Sequence, residues 1–169
     1  MMDGVADALA PQLVEKKADD LIYRFVAELT EVNAVGLLPE GLRMANAFAG
    51  EIVEGPLKGS RIWGVDPFLL RPDGVGVVDA PETISSEDRH IQATARGYAI
   101  PPEGMEMPPL EALLAPDFVW PELDFRFTGC VLFRTADTQF EHLNRTVGVL
   151  SGTVNMGTRL LEVTARAAA

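Results

Sequence analysis

The stretch "LIYRFVAELT", residues 21–30, decides the fold class. Its apolar side chains recur at every second position: Leu21, Tyr23, Phe25, Ala27 and Leu29. The positions between them are more polar and include Arg24 and Glu28. Because successive side chains of a strand point to opposite faces, this alternation predicts a β-strand with one apolar and one more polar face. We expect the folded domain to begin here.

Further short segments with the character of strands follow, separated by turn residues. They span residues 43–55, 60–66, 67–71, 75–79, 82–85, 89–100, 123–135, 140–150 and 158–166. Many short strands with almost no long helical pattern between them predict an antiparallel sandwich or barrel rather than strand-helix-strand units. The sequence "RPDG", residues 71–74, predicts a turn that joins two of these strands in a hairpin.

Two segments depart from this pattern. Residues 3–17 carry Val5, Leu9 and Leu13 at about four-residue spacing, which predicts a short helix broken near Pro11. A segment rich in proline and methionine, residues 101–122, surrounds a short helical stretch at 110–114. It is either a lid over a barrel mouth or a solvated excursion that caps the sheet. The predicted organisation is therefore an N-terminal extension, 1–20, and a single β-barrel domain, 21–169.

Composition limits the partners. Fourteen Lys and Arg against twenty-five Asp and Glu give the 169-residue chain a formal charge of −11. This charge disfavours nucleic acids, anionic membrane surfaces and anionic substrates, so the expected partner is a small hydrophobic or weakly polar organic molecule. No secretory signal or membrane-spanning apolar run is visible, and a cytoplasmic location is expected. A homo-oligomer stays open as an alternative.

The residues for cofactor chemistry are few. The single cysteine, Cys130, lies in "TGCVLF" and is interpreted as a small core residue of a strand. Two histidines, His90 and His142, leave no three-histidine metal site within one chain. Nucleotide-binding and nucleophile-elbow motifs are missing, so we expect neither a metal nor an organic cofactor.

General acid-base chemistry is what remains, and residues 133–152 carry the candidates. His142 leads because an imidazole titrates near neutral pH. If "FEHLN" is a strand, Phe140, His142 and Asn144 share one face. Arg134 would hold developing negative charge, and Asp79 would orient or replace the base. The alternative for each is an ordinary surface residue.

The order of several motifs resembles a known family. "GEIVEGPLKG", "RPDGVGVVD", "GYAIPPEG", "FRT", "LN" and "VGVLSG" follow one another as in the widespread bacterial family DUF3237, the UPF0311 group, over residues 21–163. The resemblance implies a calycin-like antiparallel β-barrel that encloses one small ligand. Positions that match the family are Gly50, Gly55, Gly59, Asp66, Arg71, Asp73, Gly74, Asp79, Gly97, Arg134, Thr135, Leu143 and Asn144.

The chain departs from the family pattern at three places, "GVDPF", "SEDRH" and "HLN". Phe68 replaces an expected pocket tryptophan of the family, and two histidines are gained. These changes suggest either a specialised pocket or drift at a barrel rim. The expected ligand-binding residues are Tyr98, Trp63, Phe68, Phe140, His90 and Arg71. The first function hypothesis is a cofactor-independent enzyme that moves a proton in a lyase, dehydratase, isomerase or cyclase step. The alternative is a non-catalytic binding protein for a hydrophobic metabolite.

Overall fold

The structure is a computed structural model that describes residues 20–168. The helix predicted within residues 3–17 lies outside this range. The strands are β1 (Leu21–Leu38), β2 (Gly41–Glu54), β3 (Arg61–Asp66), β4 (Leu69–Leu70), β5 (Gly76–Ser86), β6 (Arg89–Ile100), β7 (Asp124–Arg134), β8 (Val147–Asn155) and β9 (Leu160–Ala167). Two 3-10 helices, Leu110–Leu114 and Glu141–Arg145, lie between strands.

The strands form a closed antiparallel barrel. Around the barrel the order is β1, β2, β3, β5, β6, β7, β8 and β9, and β9 pairs with β1 to complete the circle. The short strand β4 continues the position of β3, because both pair with β2 and β5. The predicted mainly-β antiparallel barrel is therefore confirmed, with eight positions around its circumference.

The side chains of β1 alternate between the inside and the outside of the barrel, as the sequence predicts. Tyr23, Phe25, Ala27 and Leu29 are buried. A register shift in the β1–β9 pairing between Leu21 and Tyr23 accompanies the burial of Ile22 as well. The inward side chains of all the strands form one hydrophobic core.

Residues 75–79 and 82–85, predicted as two strands, are one strand, β5, that passes through Pro81. The proline is tolerated because β5 pairs with β4 up to Val77 and with β3 only from Glu82 onward. Between these pairings no ladder hydrogen bond is required on that side, so the missing N–H of Pro81 costs none. The "RPDG" hairpin is confirmed: Gly74 has φ +83° and its N–H donates to the Arg71 carbonyl at 3.0 Å.

Two local predictions are wrong. Residues 141–145 form a 3-10 helix instead of a strand, because "EHLNR" lies in the connection from β7 to β8. The Asn144 side chain closes this connection: it accepts from the Thr135 N–H and donates to the Thr135 carbonyl, each at 2.8 Å. Cys130 is exposed, because Val131 and Phe133 occupy the inward positions of β7 and leave the cysteine on the outer face.

The segment between β6 and β7 covers one end of the barrel. Leu113 is buried, and several neighbours pack against the core: Met105, Met107, Leu110, Phe118 and Trp120. Of the two sequence interpretations, a cover over the barrel fits better than a solvated excursion.

Candidate functional site

The barrel encloses a mainly apolar cavity beneath this cover. Its interior leaves about 70 Å³ for the centres of water-sized molecules. The wall is rich in aromatic side chains, namely Tyr23, Phe25, Phe48, Phe68, Trp120, Phe125 and Phe127. An enclosed apolar cavity inside a rigid barrel is a typical place for a small organic ligand.

Five polar side chains interrupt this apolar wall; four of them are buried, and the fifth, Thr153, is exposed. Tyr23 lies on β1, Asn46 on β2, Asp66 at the end of β3 and Glu82 on β5, and all four line the cavity. Asn46 and Asp66 are direct cross-strand partners. Glu82 pairs with Gly64, two residues before Asp66, so its position is diagonal to Asp66 across neighbouring strands. The strand register thus brings the two carboxyl groups and the carboxamide together on one part of the wall.

Three atoms of this group have no hydrogen-bond partner in the described part of the chain. They are Tyr23 Oη, Asn46 Oδ1 and Glu82 Oε2, and all are buried. Tyr23 is completely enclosed, and Asn46 and Glu82 are 3% and 7% exposed. Burying such groups without a partner costs free energy, and native proteins rarely do it without a functional reason or an ordered water. These atoms are therefore available to the polar groups of a ligand.

Burial also changes the ionisation of the acids. It raises the pKa of Asp66 to about 6, with a further increase from the charge of Asp79 and opposing effects of the Asp79 N–H and Arg43. Burial and the nearby charge of Asp66 raise the pKa of Glu82 to about 8. Burial, assisted by Glu82, raises the pKa of the Tyr23 phenol. Near pH 7 the cavity therefore combines a carboxylate at Asp66 with neutral O–H groups at Glu82 and Tyr23.

The structure does not bring the four sequence-predicted catalytic residues together in this cavity. Asp79 lies on the outer face, where it forms an ion pair with Arg96 at 2.9 Å. Arg134 is exposed and donates to the neighbouring Phe133 carbonyl. His142 and Asn144 are exposed in the β7–β8 connection, at the opposite end of the barrel from the cover. The expected common inward face is lost because these residues are helical.

The six expected ligand-binding residues are also dispersed, and Phe68 alone among them lines the cavity. Trp63 and Tyr98 are about half exposed on the outer face, at 47% and 49%. His90 is exposed, and Arg71 pairs with Asp73 in the turn before β5.

Phe140, the remaining member of that set, is buried. It lies beneath the Arg89 guanidinium, whose carbon is 4.4 Å from the ring centroid. With His142 it borders a separate groove near Leu57 and Thr146. This groove and the interior cavity have no lining residue in common.

The polar groups of the cavity were present in the sequence but were not selected as a site. Asn46 alternates with Met44 and Phe48, and Glu82 alternates with Ala80 and Ile84, so each is a polar residue on an otherwise apolar strand face. This pattern is visible in the sequence. Asp66 appeared only as a position that matches the DUF3237 family.

Among residues 20–168, no group of three or more His, Cys, Asp or Glu side chains is arranged to hold a metal ion. Within the same residues, no helix is long and apolar enough to cross a membrane.

Comparison with known proteins identifies similar barrels. A Rhodopseudomonas palustris protein of unknown function superposes with a TM-score of 0.66 at 17% identity, over 88% of this chain and 95% of that chain. A β-barrel-like protein from Acinetobacter baumannii gives 0.65 at 20% identity, over 88% and 93%. An enzyme from Penicillium herquei gives 0.53 at 20% identity, over 86% and 92%. No family model and no curated protein matches the chain. These identities show a shared fold alone.

Proposed function

We propose that the protein is a cofactor-independent enzyme that binds a small, mainly apolar organic molecule in the barrel cavity and catalyses a proton transfer. Asp66 acts as the general base and Glu82 as the general acid. The observation that carries this proposal is the pair of inward carboxyl groups on neighbouring strands, one tending to be ionised and the other neutral near pH 7. We also propose that the barrel is of the calycin-like type and that the chain is a DUF3237 member.

Enclosure favours this chemistry. A carboxylate removed from bulk water is a stronger base than an exposed one, and a neutral carboxyl group can return a proton elsewhere on the same substrate. Isomerase, dehydratase, lyase and cyclase steps all need such a removal and return. The nearby Asp66 and Glu82 can then exchange a proton, directly or through water, to restore the starting state.

Asp66 is a better candidate for the base than His142. A base must lie within hydrogen-bond reach of the proton that it removes. Asp66 lines the enclosed cavity, whereas His142 borders a separate groove outside it. The backbone N–H of Asp79 holds Asp66 Oδ1 at 3.2 Å and so fixes one of its oxygens.

A non-catalytic binding protein is the second candidate. The aromatic wall and the cover of the barrel mouth favour it, since both serve the retention of a hydrophobic molecule. A pure binding protein should tolerate amidation of both cavity acids, whereas the proposed enzyme should keep affinity and lose turnover.

The test begins with the neutral apolar dye N-phenyl-1-naphthylamine and a panel of small organic molecules that displace it. Molecules that displace the dye are incubated with the wild type and followed by NMR for turnover. We expect D66N and E82Q each to lower turnover at least about 100-fold. H142Q, an amide substitution outside the cavity, should leave turnover unchanged. Turnover that survives in D66N/E82Q would contradict the acid-base assignment.

A further inference from the structure

The charges around the cavity limit the kind of substrate that the proposed enzyme accepts. Asp66 and Glu82 line the cavity, and no Lys, Arg or His does so among the residues that the structure describes. The nearby Arg43 is engaged outside the lining, where it donates to the Pro67 carbonyl and pairs with Glu40. A bound carboxylate or phosphate would therefore lack a cationic partner and would face an acid. Anionic substrates are excluded on this ground.

The hydrogen-bonding groups limit the substrate further. Tyr23 Oη and Glu82 Oε2 are buried, and within residues 20–168 neither has a hydrogen-bond partner. The phenol and a neutral carboxyl group are both O–H donors, so they require an acceptor. A carbonyl oxygen has two lone pairs and can accept both hydrogen bonds at once. An apolar molecule with a carbonyl group would thus satisfy the two donors.

We propose that the substrate is a neutral carbonyl compound, held at its oxygen by Tyr23 and Glu82, from which Asp66 removes a proton at the adjacent carbon. This inference rests on the proposed function. As the C–H bond breaks, its electron pair forms a C=C bond, the carbonyl π electrons move to oxygen, and Asp66 becomes protonated. The proton then returns to the same or another carbon, so the step needs neither an oxidant nor a reductant.

The strand register gives this step its geometry. Asp66 on β3 is diagonal to Glu82 on β5. Tyr23 lies on β1, which is three strand positions from β5 around the barrel. Tyr23 and Glu82 line the same cavity, and each buries an oxygen there. Neutral O–H donors in an apolar site stabilise a developing enolate oxygen without the reorganisation that water would require.

Binding is tested with three naphthalene probes of nearly equal size that displace N-phenyl-1-naphthylamine. These are 2-naphthol as a neutral mimic of an enol, 2-naphthoate as an anion and 2-naphthylmethylamine as a cation. We expect 2-naphthol to bind at least about tenfold more tightly than either charged probe. Y23F, which removes the phenol donor, should weaken it about tenfold, whereas E82Q, whose amide N–H still donates, should retain its affinity. Thermal unfolding of each conservative variant verifies that it folds. Tighter binding of the amine or the acid would overturn the carbonyl assignment but leave the cavity as the site.

Chemistry is tested by exchange of the α-hydrogens of 2-tetralone in D₂O, followed by NMR. We expect the wild type and H142Q to accelerate exchange equally, and D66N to lower the catalysed rate at least about 100-fold. Exchange in the wild type no faster than in D66N would overturn the enolisation step even if 2-naphthol binds. If the cavity also fails to retain the dye and every probe, the proposed function itself fails, so the two failures are distinguishable.

Discussion

Asp66 Oδ1 accepts a hydrogen bond from the backbone N–H of Asp79 at 3.2 Å. The two acids lie on opposite sides of the barrel wall: Asp66 faces the cavity, and Asp79 faces Arg96 on the outside. The N–H that Asp79 contributes lies where β5 has no ladder partner on the β3 side. The gap in the sheet that tolerates Pro81 therefore also frees a backbone donor that orients the proposed base.

The ionisation of the cavity acids predicts a bell-shaped pH dependence of kcat/KM. Activity should rise as Asp66 loses its proton near pH 6 and fall as Glu82 loses its proton near pH 8. Initial rates of 2-tetralone exchange between pH 4.5 and 9.5 measure this profile. E82Q should lose the alkaline limb, since its amide does not titrate, whereas H142Q should keep the wild-type profile. A single acidic limb in the wild type would contradict the role of Glu82.

Glu82 should also make the folded protein less stable as pH rises. Its pKa is raised from 4.5 to about 8, so between these values the folded chain keeps a proton that the unfolded chain has released. The free energy of unfolding therefore falls from about pH 4.5 to about pH 8, and above pH 8 the loss is complete. We expect E82Q to raise Tm by several degrees at pH 8.5 and by much less at pH 4.5, as measured by calorimetry.

A matched control for this measurement is E54Q. Glu54 is exposed, and its hydrogen bond with Arg24 lowers the pKa of its carboxyl group. Its contribution therefore has the opposite sign: it is present above the unfolded pKa and is lost as pH falls. E54Q should not raise Tm at pH 8.5. Above pH 6 Asp66 no longer titrates strongly, so the remaining decrease in the free energy of unfolding should come from Glu82. If E82Q loses stability above pH 6 as steeply as the wild type, Glu82 is ionised in the folded protein.

Ligand binding should be visible through one of the two tryptophans. Trp120 lines the cavity and packs edge-on against Phe118, with ring centroids 5.3 Å apart, whereas Trp63 is on the outer face. Addition of 2-tetralone should quench or shift the emission of the wild type and of W63F, but not that of W120F. An equal response in W120F, or a lost response in W63F, would place the ligand outside the covered cavity.

The barrel could be predicted because its information is local. Alternation of apolar and polar residues marked β1, short apolar segments between turn residues marked most other strands, and "RPDG" marked its turn, without knowledge of the partners. The last part of β8, residues 151–155, was not marked. The site could not be predicted in this way. The proximity of its polar residues depends on the strand register. This register places Asn46 opposite Asp66 and Glu82 diagonal to Asp66, and so it relates three strands.

The predicted catalytic residues lie outside the cavity for a related reason. His142 was a candidate because imidazoles in general titrate near neutral pH, yet burial raises the pKa of the Asp66 and Glu82 carboxyl groups into the same range. Acids are usually exposed, so Asp66 and Glu82 were not expected inside. A search for polar residues on apolar strand faces would have found Asn46 and Glu82.

The shape of the cavity depends on the absence of a side chain at Gly76. A Cβ atom built there would lie 2.2 Å from Cζ of Phe68, the ring that lines the cavity wall. G76A should therefore push this ring from its position and destabilise the fold by about 1–3 kcal/mol. Affinity for 2-naphthol should fall as well.

Because the smaller side chain of F68L leaves room for the new methyl group, the double variant G76A/F68L should lose less stability than the sum of the single variants. Chemical denaturation of the four proteins measures this coupling, and strictly additive losses would show that the contact between Gly76 and Phe68 does not set the position of the ring.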